Sequence, residues 1–260
     1  MQLYILIYAK VFCRNVQLSK KNRIRIYVQN ELEKDNVVVC DEKQSHYLLN
    51  VMRLKINDEV YAFDGKNGEF CCLIEKTDKK KCELRVVSKY NDFVKSSDLW
   101  LLFSVLKKDN TDFVIEKATE LGVGKIIPVI TDFTSNSKPR TERLKLLAIE
   151  ASEQSRRQNV PQIDECIELR NLLSNWDQSR KLIYLDESLK SESAKSQMPK
   201  CIAPAAVLVG PEGGFSEKEL EILRSLDYAY GVSLGKTILR AETAAISAIS
   251  LWQAIVGDWQ

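Results

Sequence analysis

The amino-acid sequence predicts an α/β fold with a largely parallel sheet, preceded by a small β-rich domain. Short strand-like runs separated by polar turns fill residues 24–87, and beyond residue 99 strands alternate with amphipathic helices. A polar segment, residues 91–98, lies between the two regions and is typical of a linker. Because alternating strands and helices favour parallel strands joined by crossover helices, we expect a parallel sheet in the second region.

The chain of 260 residues is long enough to bury a sizeable core. Hydrophobic residues make up 45% and charged residues 28%, which is ordinary for a folded protein and too apolar for a disordered one. We therefore expect two domains, residues 23–92 and 93–260, after an N-terminal extension of uncertain order over residues 1–22.

Charge and cysteine content exclude several kinds of site. A net charge of only +2 means that any nucleic-acid site must be a local basic face. Seven cysteines without a C-x-x-C pair, together with a single histidine, predict neither a disulfide framework nor a metal site. The apolar opening over residues 3–9 is too short to cross a bilayer, which takes roughly 20 residues, so we expect a cytoplasmic protein without a membrane segment.

In the first region, apolar runs predict four strands, at residues 24–28, 59–63, 70–74 and 83–87. Polar turns separate them, at residues 64–68 and 78–81. Residues 45–54 are predicted to be helical. The first region is therefore predicted to be mainly β.

In the second region, apolar runs predict five strands, at residues 99–106, 125–130, 181–185, 206–209 and 230–234. Helix 111–121 is predicted from an apolar stripe that contains Phe113, Val114, Ala118 and Leu121, and Gly122 supplies its end. Helix 141–157 has an inward stripe of Leu144, Leu147, Ala148 and Ala151, and an outward face with Arg143, Glu150, Glu153 and Arg157. The Ser/Lys-rich residues 187–196 predict a flexible surface loop.

A glycine-rich turn follows the strand over residues 206–209. It consists of Gly210, Pro211, Glu212, Gly213 and Gly214, and Ser216 and Glu219 predict a capping box for the next helix, with Phe215 packing on Leu220. Glycines let the backbone turn sharply and approach a ligand, and free N–H groups at a helix start can bind a polar group. Taken alone, such a turn is equally typical of a plain strand-to-helix connection.

A second glycine turn, within residues 232–245, again leaves a strand and enters a helix of small and apolar residues. Residues 231–237 have the pattern G-x-x-x-G-K-T, one residue shorter than the phosphate-binding loop of nucleotide hydrolases. At that spacing, backbone N–H groups would not close around a phosphate in the usual way. A nucleotide hydrolase is therefore a weak alternative.

Further motifs accompany the two turns. They are His46-Tyr47-Leu48, Val51-Met52-Arg53, Lys107-Lys108, residues 116–123, residues 150–155 with Arg157, and Val160-Pro161. With these motifs in this order, the chain from about Arg25 to Gly257 resembles the SPOUT methyltransferases and, within them, the RsmE family. It departs from that family in the extension before about Asn22, in a less basic and less aromatic loop over residues 134–140, and in Lys236, where arginine is frequent.

The resemblance implies an S-adenosylmethionine-dependent enzyme that methylates N3 of a uridine in small-subunit (16S) ribosomal RNA. It implies a PUA-like β-barrel domain for RNA, a SPOUT domain with a trefoil knot, and a homodimer. The substrate is expected to be the ribosomal RNA or the assembled 30S particle. An RNA-binding module with an inactive pocket and a SPOUT methyltransferase with a different RNA target are the alternatives.

The family holds its cofactor in the knot, against the loops that are the two glycine turns here. The implied cofactor-binding residues are Leu185, Val209, Gly210, Pro211, Glu212, Gly213, Gly214, Leu234, Gly235, Ile238, Leu239, Arg240 and Thr243. Methyl transfer from a sulfonium is an in-line displacement, so such an enzyme mainly aligns the reactants and excludes water.

The predicted catalytic residues are Arg240 and Glu242. Uridine N3 carries a proton, and its loss places negative charge on O2 and O4, which a positioned cation stabilises. Arg240, directly after the cofactor loop, is predicted for that role, with Lys236 as a weaker candidate. Glu242 is a candidate base, but a carboxylate at a helix start is also a routine dipole partner, and solvent can take the proton instead.

Six cations from the two regions are predicted to contact RNA: Arg25, Arg53, Lys107, Lys108, Arg156 and Arg157. A solvated charged face is the alternative for each of them singly. The only histidine, His46, is expected to serve structure rather than contact RNA. Trp252 and Trp259 are expected in the core or in a dimer interface.

Overall fold

The computed structural model describes residues 23–78, 81–187 and 191–259. The chain divides into two compact units between Asp92 and Phe93. The predicted N-terminal extension, residues 1–22, lies outside the described residues. None of the helices within the described ranges combines the length and the apolar character that a membrane span requires.

Five strands form the sheet of the first unit: β1 (Arg25–Tyr27), β2 (Val37–Val39), β3 (Glu59–Phe63), β4 (Glu69–Asp78) and β5 (Lys81–Asn91). Their order is β1-β3-β4-β5-β2, with β1 parallel to β3 and the other pairs antiparallel. Alternate side chains of these strands, such as Val60, Cys72 and Leu84, pack into one apolar core. The prediction of a mainly β first region is confirmed.

Two details of the first unit differ from the sequence prediction. Strand β2 is not predicted, because a run of three residues with only Val38 buried is too short to show alternation. The helix expected over residues 45–54 instead begins earlier, as α1 (Glu42–His46), and continues as a π-helical turn over Tyr47–Val51. Asp41 accounts for the earlier start, since it forms a reciprocal capping box with Gln44.

Eight strands form the sheet of the second unit: β6 (Leu99–Ser104), β7 (Lys125–Ile130), β8 (Gln162–Ile163), β9 (Ile167–Glu168), β10 (Lys181–Leu185), β11 (Glu192–Ser193), β12 (Ala205–Val209) and β13 (Ala229–Ser233). The order is β11-β13-β10-β12-β6-β7-β8, and β9 also pairs with β7. Every pair is parallel. The prediction of an α/β fold with a mostly parallel sheet is confirmed.

Helices cover both faces of this sheet. They are α2 (Lys108–Glu120), α3 (Thr141–Ser155), α4 (Leu169–Ser174), α5 (Ala194–Gln197), α6 (Glu217–Arg224) and α7 (Ala241–Ile255), with a 3₁₀ turn over Met198–Lys200. On one face, Leu101 and Phe103 of β6 share an apolar cluster with α2, α3 and α7. On the other, Leu102 of the same strand packs with Leu169 of α4 and Leu223 of α6. Successive residues of β6 thus point to opposite layers, as alternation in a strand requires.

Three local predictions in the second unit are wrong. Phe113 belongs to no buried stripe, since it is 42% exposed, and Ile115 is buried on α2 instead. Of the loop predicted over residues 187–196, residues 188–190 lie outside the described residues, and the described part contains β11 and the start of α5. Helix α3 ends at Ser155, where Arg156 adopts a left-handed backbone with φ of 62°, so Arg157 lies beyond the helix. The loss of helical register explains why Arg157 does not face outward.

Candidate active site

The two glycine turns lie side by side because of the strand order. Strand β10 lies between β12 and β13, so the carboxyl ends of the three parallel strands adjoin. The turn after β12, the turn after β13 and the chain after β10 enclose one cavity with a volume of about 570 Å³. Ligands of open α/β sheets bind at such carboxyl ends. This cavity is therefore the candidate active site.

Most of the predicted cofactor-binding residues line this cavity. They are Leu185, Val209, Gly210, Pro211, Glu212, Gly214, Leu234, Gly235, Ile238, Leu239 and Arg240. Gly213 and Thr243 do not line it, because Gly213 faces Phe133 on the outer side of its turn and Thr243 is exposed in the first turn of α7.

Other lining residues were not among those predicted to bind the cofactor. They are Asp186, Glu187, Phe215, Glu217, Leu220, Val232, Lys236, Thr237, Ala241 and Ala244. Asp186 and Glu187 directly follow the predicted strand 181–185, and that position at a strand end is the signal that was available. It points to the site only when β10 is known to lie between the two strands that carry the glycine turns.

The first glycine turn is tightly constrained. Strand β12 is buried along its whole length, and Gly214 closes the turn by donating its N–H to the Pro211 carbonyl at 2.9 Å. Gly214 has a φ of +71°, and a Cβ placed there would lie 2.5 Å from Glu187 Oε1. A side chain at this position would therefore be strained by its backbone and would displace Glu187 from the cavity wall.

The helix after this turn is anchored as predicted. Ser216 caps α6 by accepting a hydrogen bond from Glu219 N, and Ser216 N–H donates to Glu219 Oε2 at 2.9 Å. The other oxygen of the same carboxylate, Glu219 Oε1, accepts from Asp132 N at 2.9 Å. Phe215 packs against the apolar cluster that contains Leu220. Buried Glu219 thus fixes the glycine turn to the loop that follows β7.

The second glycine turn is more open. Gly235 has a φ of +115°, and among the described residues no heavy atom lies within 4 Å of the point that a Cβ would occupy there. Ile238 is 77% exposed although it lines the cavity, and Arg240, the N-cap residue of α7, is exposed there too, as is Lys236. Helix α7 begins only at Ala241, so its N-terminus does not directly follow Lys236 and Thr237 as a phosphate-binding loop requires.

The two predicted catalytic residues have different placements. Arg240 lines the cavity, whereas Glu242 does not, since it lies half-buried in the first turn of α7. A base that acts on a bound substrate must come within hydrogen-bond reach of the proton it takes. The position of Glu242 therefore favours its alternative role as a partner of the helix dipole.

Two of the six cations predicted to contact RNA are held in other interactions, and of these Arg25 is buried and Arg157 is half-buried. Arg25, 6% exposed, forms an ion pair with Glu69 and lies 4.6 Å from the centre of the Phe63 ring. Arg157 donates to the Thr119 carbonyl at 2.8 Å and to Asn159 Oδ1 at 2.9 Å. Burial lowers the pKa of the Arg157 guanidinium to about 10. These interactions favour structural roles for the two guanidinium groups, and their RNA contacts stay predictions.

The other four cations are on the surface of their units. Arg53 and Arg156 are exposed, each with a positive φ, and Lys107 is exposed next to α2. Lys108 is also exposed but shares its charge with Asp112, at 3.1 Å. The Lys108 site is therefore the least available of the four for a phosphate.

The single histidine and the two tryptophans near the C-terminus differ in their burial. His46 is exposed, and its Nδ1 lies 2.9 Å from Asn50 Nδ2. Trp252 is fully buried and donates its indole N–H to the Cys201 carbonyl at 2.7 Å, whereas Trp259 is largely exposed. Trp252 is thus a core residue, as expected.

Comparison with known proteins identifies the family. Residues 94–253 match the RNA methyltransferase domain, and residues 40–87 match the RNA methyltransferase PUA domain. The ribosomal RNA small subunit methyltransferase E of Rickettsia conorii is 35% identical over 229 residues, which are 87% of this chain and 93% of the relative. The chain belongs to the ribosomal RNA small subunit methyltransferase E family. The first unit of this family member is accordingly a PUA domain, as predicted.

Two solved structures with bound S-adenosylmethionine share this fold. A ribosomal RNA small subunit methyltransferase E from Neisseria gonorrhoeae, bound to S-adenosyl methionine, superposes with a TM-score of 0.84 at 28% identity and covers 92% of this chain and all of that one. A methyltransferase from Legionella pneumophila, in complex with its bound cofactor SAM, has a TM-score of 0.83 at 28% identity and covers 91% of this chain and 99% of that one. The fold is therefore that of the methyltransferase E family.

Proposed function

We propose that this protein transfers a methyl group from S-adenosylmethionine to N3 of a uridine in small-subunit (16S) ribosomal RNA. The observation that carries the proposal is the cavity of about 570 Å³ that the two glycine turns form together. Its volume is in the range of ligand sites, about 300–1,000 Å³. The family of the chain and the cofactor bound to the Neisseria gonorrhoeae relative support the same activity.

The lining of the cavity fits this cofactor. Apolar side chains, among them Leu185, Val209 and Leu239, suit a purine ring, and the missing side chain of Gly235 leaves open space at the wall. Carboxylates from Asp186, Glu187, Glu212 and Glu217 face a ligand that carries a sulfonium and an ammonium group. We therefore assign cofactor binding to the predicted residues that line the cavity, apart from Arg240, which is proposed to act on the target base. When bound, S-adenosylmethionine supplies an electrophilic methyl group.

The residues of the second turn are proposed to act on the target base. Arg240 stabilises the negative charge that uracil carries after N3 loses its proton, because its positively charged guanidinium lies at the cavity. Lys236, exposed at the same cavity, attracts the RNA backbone. Glu242 lies outside the lining, so solvent is the proposed acceptor of the N3 proton.

RNA binding is assigned to exposed cations. Arg53, Lys107 and Arg156 are the proposed phosphate contacts, with Lys108 in a lesser role. The substrate is proposed to be small-subunit ribosomal RNA, free or in the assembled 30S particle. The homodimer, the cytoplasmic location and the trefoil knot stay predictions.

Mapping of methylated bases tests the activity. Ribosomal RNA from cells with the gene should carry a 3-methyluridine in the small subunit that is missing without the gene. Calorimetry should detect S-adenosylmethionine binding by the purified protein. A protein that binds no cofactor at millimolar concentration, with an unchanged methylation map, would instead be a non-catalytic RNA-binding module.

The role of Arg240 has its own test. Arg240→Ala should lower methylation by about 100-fold or more, the loss typical of a removed charge-stabilising group, while cofactor affinity stays nearly unchanged. Lys236→Ala serves as the matched control from the same turn, and should weaken RNA binding more than the methyl-transfer rate. Equal methylation rates in Arg240→Ala and the wild type at saturating RNA contradict the assignment.

A further inference from the structure

Asp186 occupies the middle of the cavity wall. It directly follows β10, the strand that lies between the two strands carrying the glycine turns. Its N–H donates to the Val232 carbonyl of β13 at 3.0 Å, which fixes its backbone. Its side chain lines the cavity although the residue is only 4% exposed. The other lining carboxylates, from Glu187, Glu212 and Glu217, are exposed.

Ser191 and Arg224 help to hold the Asp186 carboxylate in place. Asp186 Oδ2 accepts a hydrogen bond from Ser191 Oγ at 2.8 Å and lies 3.7 Å from Arg224 Nη2. Arg224 also lies 3.7 Å from Glu217, so it links the buried carboxylate to an exposed one at the same cavity. A buried carboxylate is costly unless it is paired, and this pairing leaves Asp186 oriented before any ligand arrives.

The space around this group is kept clear by a glycine. A Cβ at Gly231 of β13 would lie 2.3 Å from Ser191 Oγ and 2.7 Å from Tyr184 Oη. Any side chain there would displace the hydroxyl that orients Asp186. Burial raises the pKa of Tyr184, and the charge of Asp186 raises it further, so the phenol stays a neutral member of this polar group. The arrangement depends on Tyr184 of β10, Gly231 of β13 and Ser191.

A carboxylate in this position matches a defined part of a nucleoside. Ribose presents two neighbouring hydroxyl donors, and an acidic residue beyond a strand end binds a ribose hydroxyl in dinucleotide-binding α/β folds. Leu185 and Val209 line the same cavity and supply apolar surface for the base. We propose that Asp186 accepts hydrogen bonds from the ribose hydroxyls of the cofactor and selects a ribonucleoside. This inference rests on the proposed use of S-adenosylmethionine.

Ribose-modified ligands test the inference directly. Calorimetry compares S-adenosylhomocysteine with its 2′-deoxy and 3′-deoxy analogues on the wild type, Asp186→Asn and Glu217→Gln. The wild type should bind at least one deoxy analogue about 10- to 100-fold more weakly, the effect expected for a lost hydrogen bond to a charged group. In Asp186→Asn this preference should fall severalfold. Glu217→Gln, the exposed carboxylate that also contacts Arg224, should keep the full preference.

The outcomes separate the possible failures. If Asp186→Asn weakens the binding of all three ligands equally, the substitution has only disturbed the structure of the site, and this result overturns the inference. A wild type that binds S-adenosylhomocysteine no more tightly than its deoxy analogues overturns the inference too, and this result does not depend on the folding of a variant. The proposed methyltransferase activity would be unaffected by that result. A wild type that binds neither S-adenosylhomocysteine nor S-adenosylmethionine overturns the proposed function and the inference together.

Discussion

Glu219 joins the first glycine turn to the rest of the second unit, and its replacement by alanine tests that connection. The side chain is 2% exposed and accepts two backbone hydrogen bonds, from Ser216 N and from Asp132 N, both at 2.9 Å. Ser216 Oγ in turn donates to Asp132 Oδ2 at 2.6 Å. Glu219→Ala removes the acceptor of two amides at once and ends the reciprocal capping of α6.

The expected loss of stability follows from these contacts. A buried donor left without an acceptor costs about 1–3 kcal/mol. Asp132 is exposed and Ser216 is half-buried, so water reaches both amides and the cost of each lies near the lower limit. The loss of the acceptor of both amides therefore lowers the free energy of unfolding by about 2–3 kcal/mol. For a unit of this size the midpoint temperature falls by about 4–12 °C.

Urea unfolding followed by tryptophan fluorescence measures this loss. The matched control is Glu221→Ala, which replaces an exposed glutamate in the same helix and should stay within about 0.5 kcal/mol of the wild type. Calorimetry should also show weaker S-adenosylmethionine binding by Glu219→Ala, because the glycine turn loses its anchor. Equal stability of the two variants would refute the reasoning, since Glu219 would then contribute no more to stability than an exposed glutamate does.

Two further predictions concern charged residues elsewhere in the second unit. Arg180 holds the pKa of Asp98 below its ordinary value of 3.8, so the folded state binds fewer protons than the unfolded state below that pH. The stability that Asp98 contributes is therefore present above pH 3.8 and is lost as the pH falls through its lower folded pKa. In acid unfolding, the stability of Asp98→Asn should depend less on pH than that of the wild type. Arg156→Ala should lower the slope of RNA affinity against salt by about one phosphate contact without loss of stability. Arg157→Ala should leave that slope unchanged and lower the free energy of unfolding by about 1–2 kcal/mol. Filter binding measures the slope and urea unfolding the stability, and the reverse pattern contradicts the structure.

Local sequence signals predicted much of the fold. The bounds of β3, β7 and β10 agree with those predicted, because each is a short β-prone run between clear turn signals. The capping box of Ser216 and Glu219 also agrees, since both partners lie within one helical turn. Strand β2 and the two-residue strands were beyond prediction, because their pairing depends on neighbours distant in the chain.

The sequence by itself determined the α/β class, the two glycine turns and the family of the chain, because each of these depends on short local patterns and on their order along the chain. Tertiary structure alone decided which strand ends adjoin, and so brought Asp186 to the cavity that the turns form. It also decided that Arg25 is buried and that Arg157 is half-buried. A charge in a sequence carries no record of its burial, since burial depends on which distant elements pack against it.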